Sequence, residues 1–236
     1  MRVFVIGAAG GVGRRLSVLL AARGDAVTGM HRAPDQAAAV AASGAVPVAG
    51  DLIADTAEAL AGRMAGHDAV VFSAGAHGTG MDRTTLIDGE GVVKAAAAAA
   101  RAGVRRFVLV SAFPEAGRGS EPREGFEHYM RVKKEADVHL SRTDLDWVIV
   151  RPGHLGDGPG DGRVTAGPAV PYGDVPRDDV AAFIDAVLHR DDLGRVVVEL
   201  VDGPTPVAEA VASLVTTLAM PRGPAGIHST SGPAIK

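Results

Sequence analysis

An α/β fold built on a doubly wound parallel sheet is what this sequence predicts, and three observations predict it. Short apolar runs alternate with longer stretches of helical pattern through residue 151, the order in which parallel strands and crossover helices follow one another. The runs are continuously apolar instead of alternating, as strands covered on both faces require. A glycine-rich turn, Gly7-Ala8-Ala9-Gly10-Gly11-Val12-Gly13, separates the first run from the first helical stretch.

Residues 2–6 read as the first strand and 14–23 as the helix after the turn. Further strands fall at 26–31, 46–49, 69–73, 106–111 and 145–151, with helices at 33–43, 55–65, 82–102 and 125–141 between them. Gly103 stops the long helix, and Pro152-Gly153 closes the sixth strand. The pattern then changes. Residues 156–167 are rich in Gly and Asp and read as a loop, 177–189 as a helix, 195–201 as a strand and 206–219 as a helix. The chain reads as one domain, residues 1–236, with residues 152–220 as a small C-terminal substrate lobe. Residues 221–236, rich in Pro, Gly and Ser, read as a flexible tail.

Composition narrows the function classes. Apolar residues make up 47% and charged residues 22%, and with 31 glycines this describes a globular chain with many tight turns. Aromatics are only 4%, which leaves the core to Val, Leu, Ile and Ala. A net charge of −4 without a basic stripe argues against a nucleic-acid partner. The absence of cysteine excludes disulfides, thiolate nucleophiles and cysteine zinc sites. The N-terminus lacks a signal-like apolar segment, and no apolar run approaches the roughly 18 residues of a membrane span. The expectation is a cytoplasmic protein with a small-molecule substrate and no membrane partner.

The glycine turn carries the first functional reading. One glycine permits the tight turn, one lets the backbone approach a pyrophosphate, and one lets helix and strand pack closely. The free N–H groups and positive end of the following helix then face the phosphates. This predicts a dinucleotide site of the Rossmann type formed by Gly7, Ala9, Gly10, Gly11, Val12 and Gly13; an empty structural turn is the alternative. No Gly-Lys-Ser/Thr follows, which excludes a nucleoside-triphosphate loop. At the end of the second strand an NAD site commonly carries a carboxylate for the ribose hydroxyls. Here Met30-His31-Arg32 stands instead, and a guanidinium suits the 2′-phosphate of NADP. NADP is therefore expected over NAD, with Arg14 or Arg15 assisting; a solvated Arg32 is the competing reading. Asp51 and Leu52 fall near the adenine edge. Ser73, Ala74 and Gly75 end the strand that neighbours the first, where small residues leave room for a ligand.

Tyr129 and Lys133 stand four apart on one helical face. Such a lysine lowers a phenol's pKa and bonds a nicotinamide ribose, and the phenol exchanges a proton with a carbonyl or hydroxyl as hydride moves. With these residues on the page, the chain resembles the short-chain dehydrogenase/reductase superfamily. Within it, the resemblance is to atypical NAD(P)-binding members of the NmrA-like and NAD-dependent epimerase/dehydratase-like kind. The matching segments are Gly7-x-x-Gly10-x-x-Gly13, Asp88-Gly89-Glu90-Gly91 and Arg105-Arg106-Phe107-Val108-Leu109-Val110-Ser111, followed by Tyr129-x-x-x-Lys133. The segments Leu145-Asp146-Trp147-Val148-Ile149-Val150-Arg151-Pro152-Gly153 and Arg177-Asp178-Asp179-Val180-Ala181 complete the set.

The resemblance implies Tyr129 as catalytic acid/base, Lys133 as its activator and ribose contact, and Pro152 and Gly153 near the nicotinamide, followed by His154 and Leu155. Ser111 ends the fifth strand where the family's catalytic Ser region begins. Ala112-Phe113 replace the Ser or Thr that many extended members carry just beyond, so lining the pocket is the other role open to Ser111. Three functions follow: an NADP(H)-dependent oxidoreductase acting on a small carbonyl or hydroxyl, a non-catalytic NADP(H) sensor, and an epimerase or dehydratase.

Other constellations fail. The eight histidines show no zinc-helix spacing, and no metal site is expected. Residues 157–162 lack the alternating carboxylates and closing Glu of a calcium loop. No Gly-x-Ser-x-Gly elbow is present. The Ala-rich helix 82–102 fits either a homodimer contact or the chain's own sheet.

Overall fold

The computed structural model describes residues 1–114, 116–117, 121 and 123–218. The tail expected at 221–236, and Ala219 of the expected last helix, lie outside the described residues. Strands β1 (Arg2–Ile6), β2 (Ala26–His31) and β3 (Val46–Ala49) alternate with helices α1 (Gly11–Arg23) and α2 (Ala37–Ala42). Helix α3 (Ala57–Met64) leads to β4 (Ala69–Phe72). Next come α4 (Met81–Thr84), a π turn (Thr85–Glu90), α5 (Gly91–Arg101), β5 (Arg106–Val110), α6 (Glu124–Ser141) and β6 (Asp146–Pro152). The remainder is β7 (His154–Gly156), β8 (Arg163–Gly167), β9 (Asp174–Pro176), α7 (Arg177–Leu188), β10 (Val196–Asp202), β11 (Thr205–Pro206) and α8 (Val207–Leu218).

The main sheet runs β11-β8-β10-β6-β5-β4-β1-β2-β3. Strand β1 pairs in parallel with β2 on one side, Val3 opposite Val27, and with β4 on the other, Val3 opposite Ala69. The chain therefore leaves β3 at one edge and re-enters beside β1. That reversal opens a crevice at the carboxyl ends of β1 and β4.

Two cores cover the two faces, and strand alternation assigns side chains to them. Val3 and Val5 of β1 and Val148 and Val150 of β6 pack with α1, α7 and α8. Phe4 and Ile6, with Trp147 and Ile149, pack with α3, α5 and α6. Ala95, Ala96, Ala98 and Ala99 of α5 are buried, because small side chains let the helix lie close to the strands. Among the described residues no helix is long and apolar enough to cross a membrane.

Two expectations need correction. The segment 156–167 is not a continuous loop, because β8 lies within it, paired antiparallel with β10 and β11. Its Val164 is fully buried while Arg163 is exposed, a pattern too short to stand out from the Gly/Asp composition around it. The helix expected at 82–102 is interrupted by the π turn, which widens the backbone and buries the consecutive residues Ile87 and Asp88 together.

Arg106 fastens the C-terminal half to the sheet. Its guanidinium lies 2.8 Å from Asp146 and donates to the carbonyls of Leu193 at 2.6 Å and Val187 at 2.6 Å. Val187 sits in the last turn of α7, where its carbonyl also accepts from the Arg190 amide at 3.1 Å. Replacing Arg106 with Leu removes these bonds and leaves the Leu193 carbonyl and the half-exposed Asp146 carboxylate without their guanidinium. The expected loss is about 3 kcal/mol in a denaturant melt. A loss below about 1 kcal/mol would show that the cluster is not what holds α7 in place.

Candidate active site

The glycine turn is shaped by how close three chain segments come. Gly7 has φ of +83°, and a Cβ there would lie 2.6 Å from the amide nitrogen of Ala74. A Cβ on Gly13 would lie 2.4 Å from the carbonyl oxygen of Gly7. Strand β1, the first turn of α1 and the end of β4 thus meet with no room for a side chain. Gly10 is the N-cap of α1 without a side-chain cap, and no acidic residue occupies the first turn. The helix start keeps its N–H donors and positive end free for an anion.

Beside this turn lies a cavity of about 370 Å³, within the range of small-ligand sites. Gly7, Ala9 and Gly10 line it, with Arg32 and Asp51-Leu52 on one side and Ser73-Ala74-Gly75 on the other. Gly11, Val12 and Gly13 lie behind, in the first turn of α1. Arg32 is exposed, and its amide donates to Gln36 Oε1 at 3.1 Å. Gln36, His77 and Thr79, which the sequence pattern does not single out, also line the cavity, as does Ala76, next to Gly75. Arg15 is committed elsewhere: its Nε donates to Asp178 at 2.5 Å, which corrects its expected role beside a phosphate. Arg14 is exposed.

A second centre gathers on α6 and its neighbours. Lys133 is buried, donates to the carbonyl of Val110 at the end of β5 at 3.0 Å, and lies 3.8 Å from Asp88. One turn further on α6, Asp137 accepts from Arg151 Nε at 2.9 Å. Ser111 Oγ and Asp137 Oδ1 are both buried without a hydrogen-bond partner among the described residues. The Ser111 hydroxyl still lies near enough to ease ionisation of Asp137. Burial raises the Asp88 and Asp137 carboxyls and lowers the Lys133 ammonium, while their opposite charges act against each shift.

Tyr129 departs from expectation. Burial first, then the negative charges of Asp88 and Asp137, push its phenol up to about 12. A lysine acting on the phenol was expected to lower it. Here burial penalises the phenolate, and the negative charges of Asp88 and Asp137 add to that penalty.

The remaining assigned residues lie apart from the cavity. Gly153 crosses the chain near Gly173, where a Cβ would meet the carbonyl at 2.0 Å. Its amide donates to Leu200, which ties the end of β6 to β10. His154 is exposed and lies 3.2 Å from Asp174. Leu155 is half-buried and its carbonyl accepts from Arg177 at 3.2 Å. Neither these, nor Pro152, nor the Ser111, Tyr129 and Lys133 cluster line the cavity beside the glycine turn.

A model of the NAD(P)H-binding family matches residues 7–203. The chain belongs to this family. The turn, the free helix start and the adjoining cavity fit a dinucleotide, because the missing Cβ atoms are what allow a ligand backbone to approach. A Bacillus subtilis protein named as an uncharacterized sugar epimerase is 38% identical over 216 residues, covering 91% of this chain and 100% of the relative. Among solved structures, a provisionally named NAD-dependent epimerase/dehydratase from Bacillus halodurans superposes with a TM-score of 0.82 at 34% identity. It covers 91% of this chain and 100% of that one. An oxidoreductase from Lactococcus lactis superposes with a TM-score of 0.80 at 26% identity, covering 92% and 97%. These neighbours are named as an epimerase/dehydratase and an oxidoreductase.

The shift at Tyr129 is measurable, because Tyr172 is the only other tyrosine. In Tyr172→Phe the phenolate absorbance should rise with a midpoint of about 12 while circular dichroism still reports folded protein. A midpoint near the free phenol's roughly 10 would contradict the burial and charge assigned to Tyr129.

Proposed function

We propose that the protein is an NADP(H)-dependent oxidoreductase of the short-chain type, reducing a small carbonyl compound to the alcohol. The observation that carries the reading is the cavity at the glycine turn, with an exposed guanidinium, Arg32, on its wall where a carboxylate would favour NAD. A 2′-phosphate there takes charge-assisted bonds from Arg32. NADPH, when bound, supplies the hydride. Tyr129 then donates its proton to the carbonyl oxygen as that oxygen gains charge, and the phenol is replenished from solvent. A phenol held near 12 remains protonated at neutral pH, which suits a donor in reduction better than a base in oxidation. Lys133 supplies positive charge beside the phenol and reaches toward a ribose. Residues 152–218 provide the substrate side of the site.

A second reading has its own observation. Lys133 is already held by Asp88 and the Val110 carbonyl, and Tyr129 is half-buried, an arrangement compatible with a sensor that binds NADP(H) without turnover. The relative named as a sugar epimerase adds a third, in which dinucleotide stays bound and returns its hydride to the same substrate.

Titration of the purified protein with NADPH and NADH, followed by nucleotide fluorescence, separates the cofactor claim from the rest. NADPH should bind the more tightly, and Arg32→Ala should weaken it about tenfold while leaving NADH nearly unchanged. Equal affinities that survive the substitution would remove the NADP assignment.

Given a carbonyl substrate found by screening with NADPH, Tyr129→Phe should lower kcat about 100-fold or more with the NADPH Kd preserved. Unchanged turnover would remove Tyr129 as the proton donor. Absence of any NADPH oxidation across carbonyl classes, with tight NADPH binding, would favour the sensor.

A further inference from the structure

The π turn between α4 and α5 has a consequence at both centres. It presents Asp88 from a backbone that packs tightly on α6: a Cβ on Gly89 would lie 2.9 Å from Val132, the residue just before Lys133. Asp88 is 2% exposed, and its carboxylate has two partners of different kinds. One oxygen accepts from the amide of Ala76 at 2.9 Å, and the other lies 3.8 Å from Lys133 Nζ. Ala76 lines the dinucleotide cavity. Gly75, the residue before it, is drawn so close that a Cβ would meet Asp88 at 3.2 Å. A single buried carboxylate thus spans from the cavity wall to the lysine on α6.

We propose that Asp88 is a positioning residue, which fixes Lys133 against the end of β5 and joins it to the Ser73–Ala76 wall of the dinucleotide cavity. The role rests on the reading of the cavity as an NADP(H) site only for its second half. Its physical basis is the cost of a buried charge. An ammonium as enclosed as that of Lys133 needs a counter-charge and hydrogen-bond acceptors to remain in place. The Val110 carbonyl supplies an acceptor and Asp88 supplies the charge. The other groups facing this pair are Asp137 and Tyr129 on α6, with Arg151 of β6 and Ser111 closing on Asp137, and His77 acting on Asp88. Asp137 is already engaged by Arg151, which leaves Asp88 as the carboxylate within ion-pair distance of the lysine.

The test uses the full-length protein carrying ¹⁵N,¹³C-labelled lysine. The lysines are Lys94, Lys133, Lys134 and Lys236, so the Lys133 side-chain signal is assigned by its disappearance in Lys133→Arg. Asp88→Asn keeps the shape and an oxygen to accept from Ala76 but removes the charge. The Lys133 signal should then titrate at least about one pH unit lower than in the wild type, because the charge that favours the ammonium is gone. A purely structural role would not move that midpoint in an isosteric amide, and an unchanged midpoint overturns the proposal. Asp88→Ala also removes the acceptor for Ala76, and NADPH should bind about tenfold more weakly than to Asp88→Asn; equal NADPH affinities overturn the link to the cavity. Should Asp88→Ala fail to fold, the Asn variant still decides the hold on Lys133. A wild type that binds no dinucleotide would remove the proposed function, whereas the Lys133 midpoint reads Asp88 independently of it.

Discussion

Everything at this site depends on three backbone segments meeting where no side chain fits. The end of β1, the first turn of α1 and the end of β4 converge at Gly7 and Gly13, with distances from notional Cβ atoms to neighbouring backbone of 2.4 to 2.6 Å. Any residue but glycine would separate strand from helix or close the approach. The convergence also fixes where the cavity lies. It sits at the reversal of strand order, beside the uncapped start of α1, so the positive helix end and the open space face the same ligand. Two cores on opposite faces of the sheet then hold the helices, among them α6 with Tyr129, Lys133 and Asp137.

The chemistry is divided between two centres. The cavity gathers backbone, small residues and Arg32, which suits recognition of a phosphate-bearing ligand. The cluster around Lys133 gathers buried charge: two carboxylates, an ammonium and a guanidinium, with the phenol of Tyr129 at its edge. Burial sets the tone there. It raises the carboxyls and lowers the ammonium, and opposite charges restrain but do not cancel those shifts; it also raises the phenol, where the carboxylates add to the shift. The outcome is a phenol that stays protonated at neutral pH. The π turn ties the centres together, because it carries Asp88, whose buried carboxylate meets both Ala76 and Lys133.

The parallel half of the fold was legible because its signals are local and strong. Continuous apolar strands, helical patterns between them and glycine at the turn each follow from burial on both faces or from close approach. The cavity-lining Gly7, Ala9, Gly10, Asp51, Leu52 and Ser73–Gly75 were legible for the same reason, as strand ends at a predictable sheet position. Strand β8 was hidden, because five residues with one fully buried side chain carry little periodicity. The π turn was hidden too: the periodicity of residues 82–102 reads as one helix, and the insertion that widens it depends on packing against α6. The direction of the Tyr129 shift could not come from the Tyr-x-x-x-Lys spacing. It is set first by burial, then by Asp88, more than forty positions away in sequence, and by Asp137, whose four-residue spacing from Lys133 was the one visible hint.

The central claim is that the glycine turn and its cavity hold a dinucleotide whose reactive end reaches Tyr129. The most direct measurement is a crystal structure of the protein grown with NADP⁺. The account predicts the pyrophosphate against the first turn of α1, the 2′-phosphate at Arg32 and the nicotinamide ribose within hydrogen-bonding reach of Lys133 or Tyr129. A dinucleotide bound elsewhere, or one whose nicotinamide points away from α6, would contradict it.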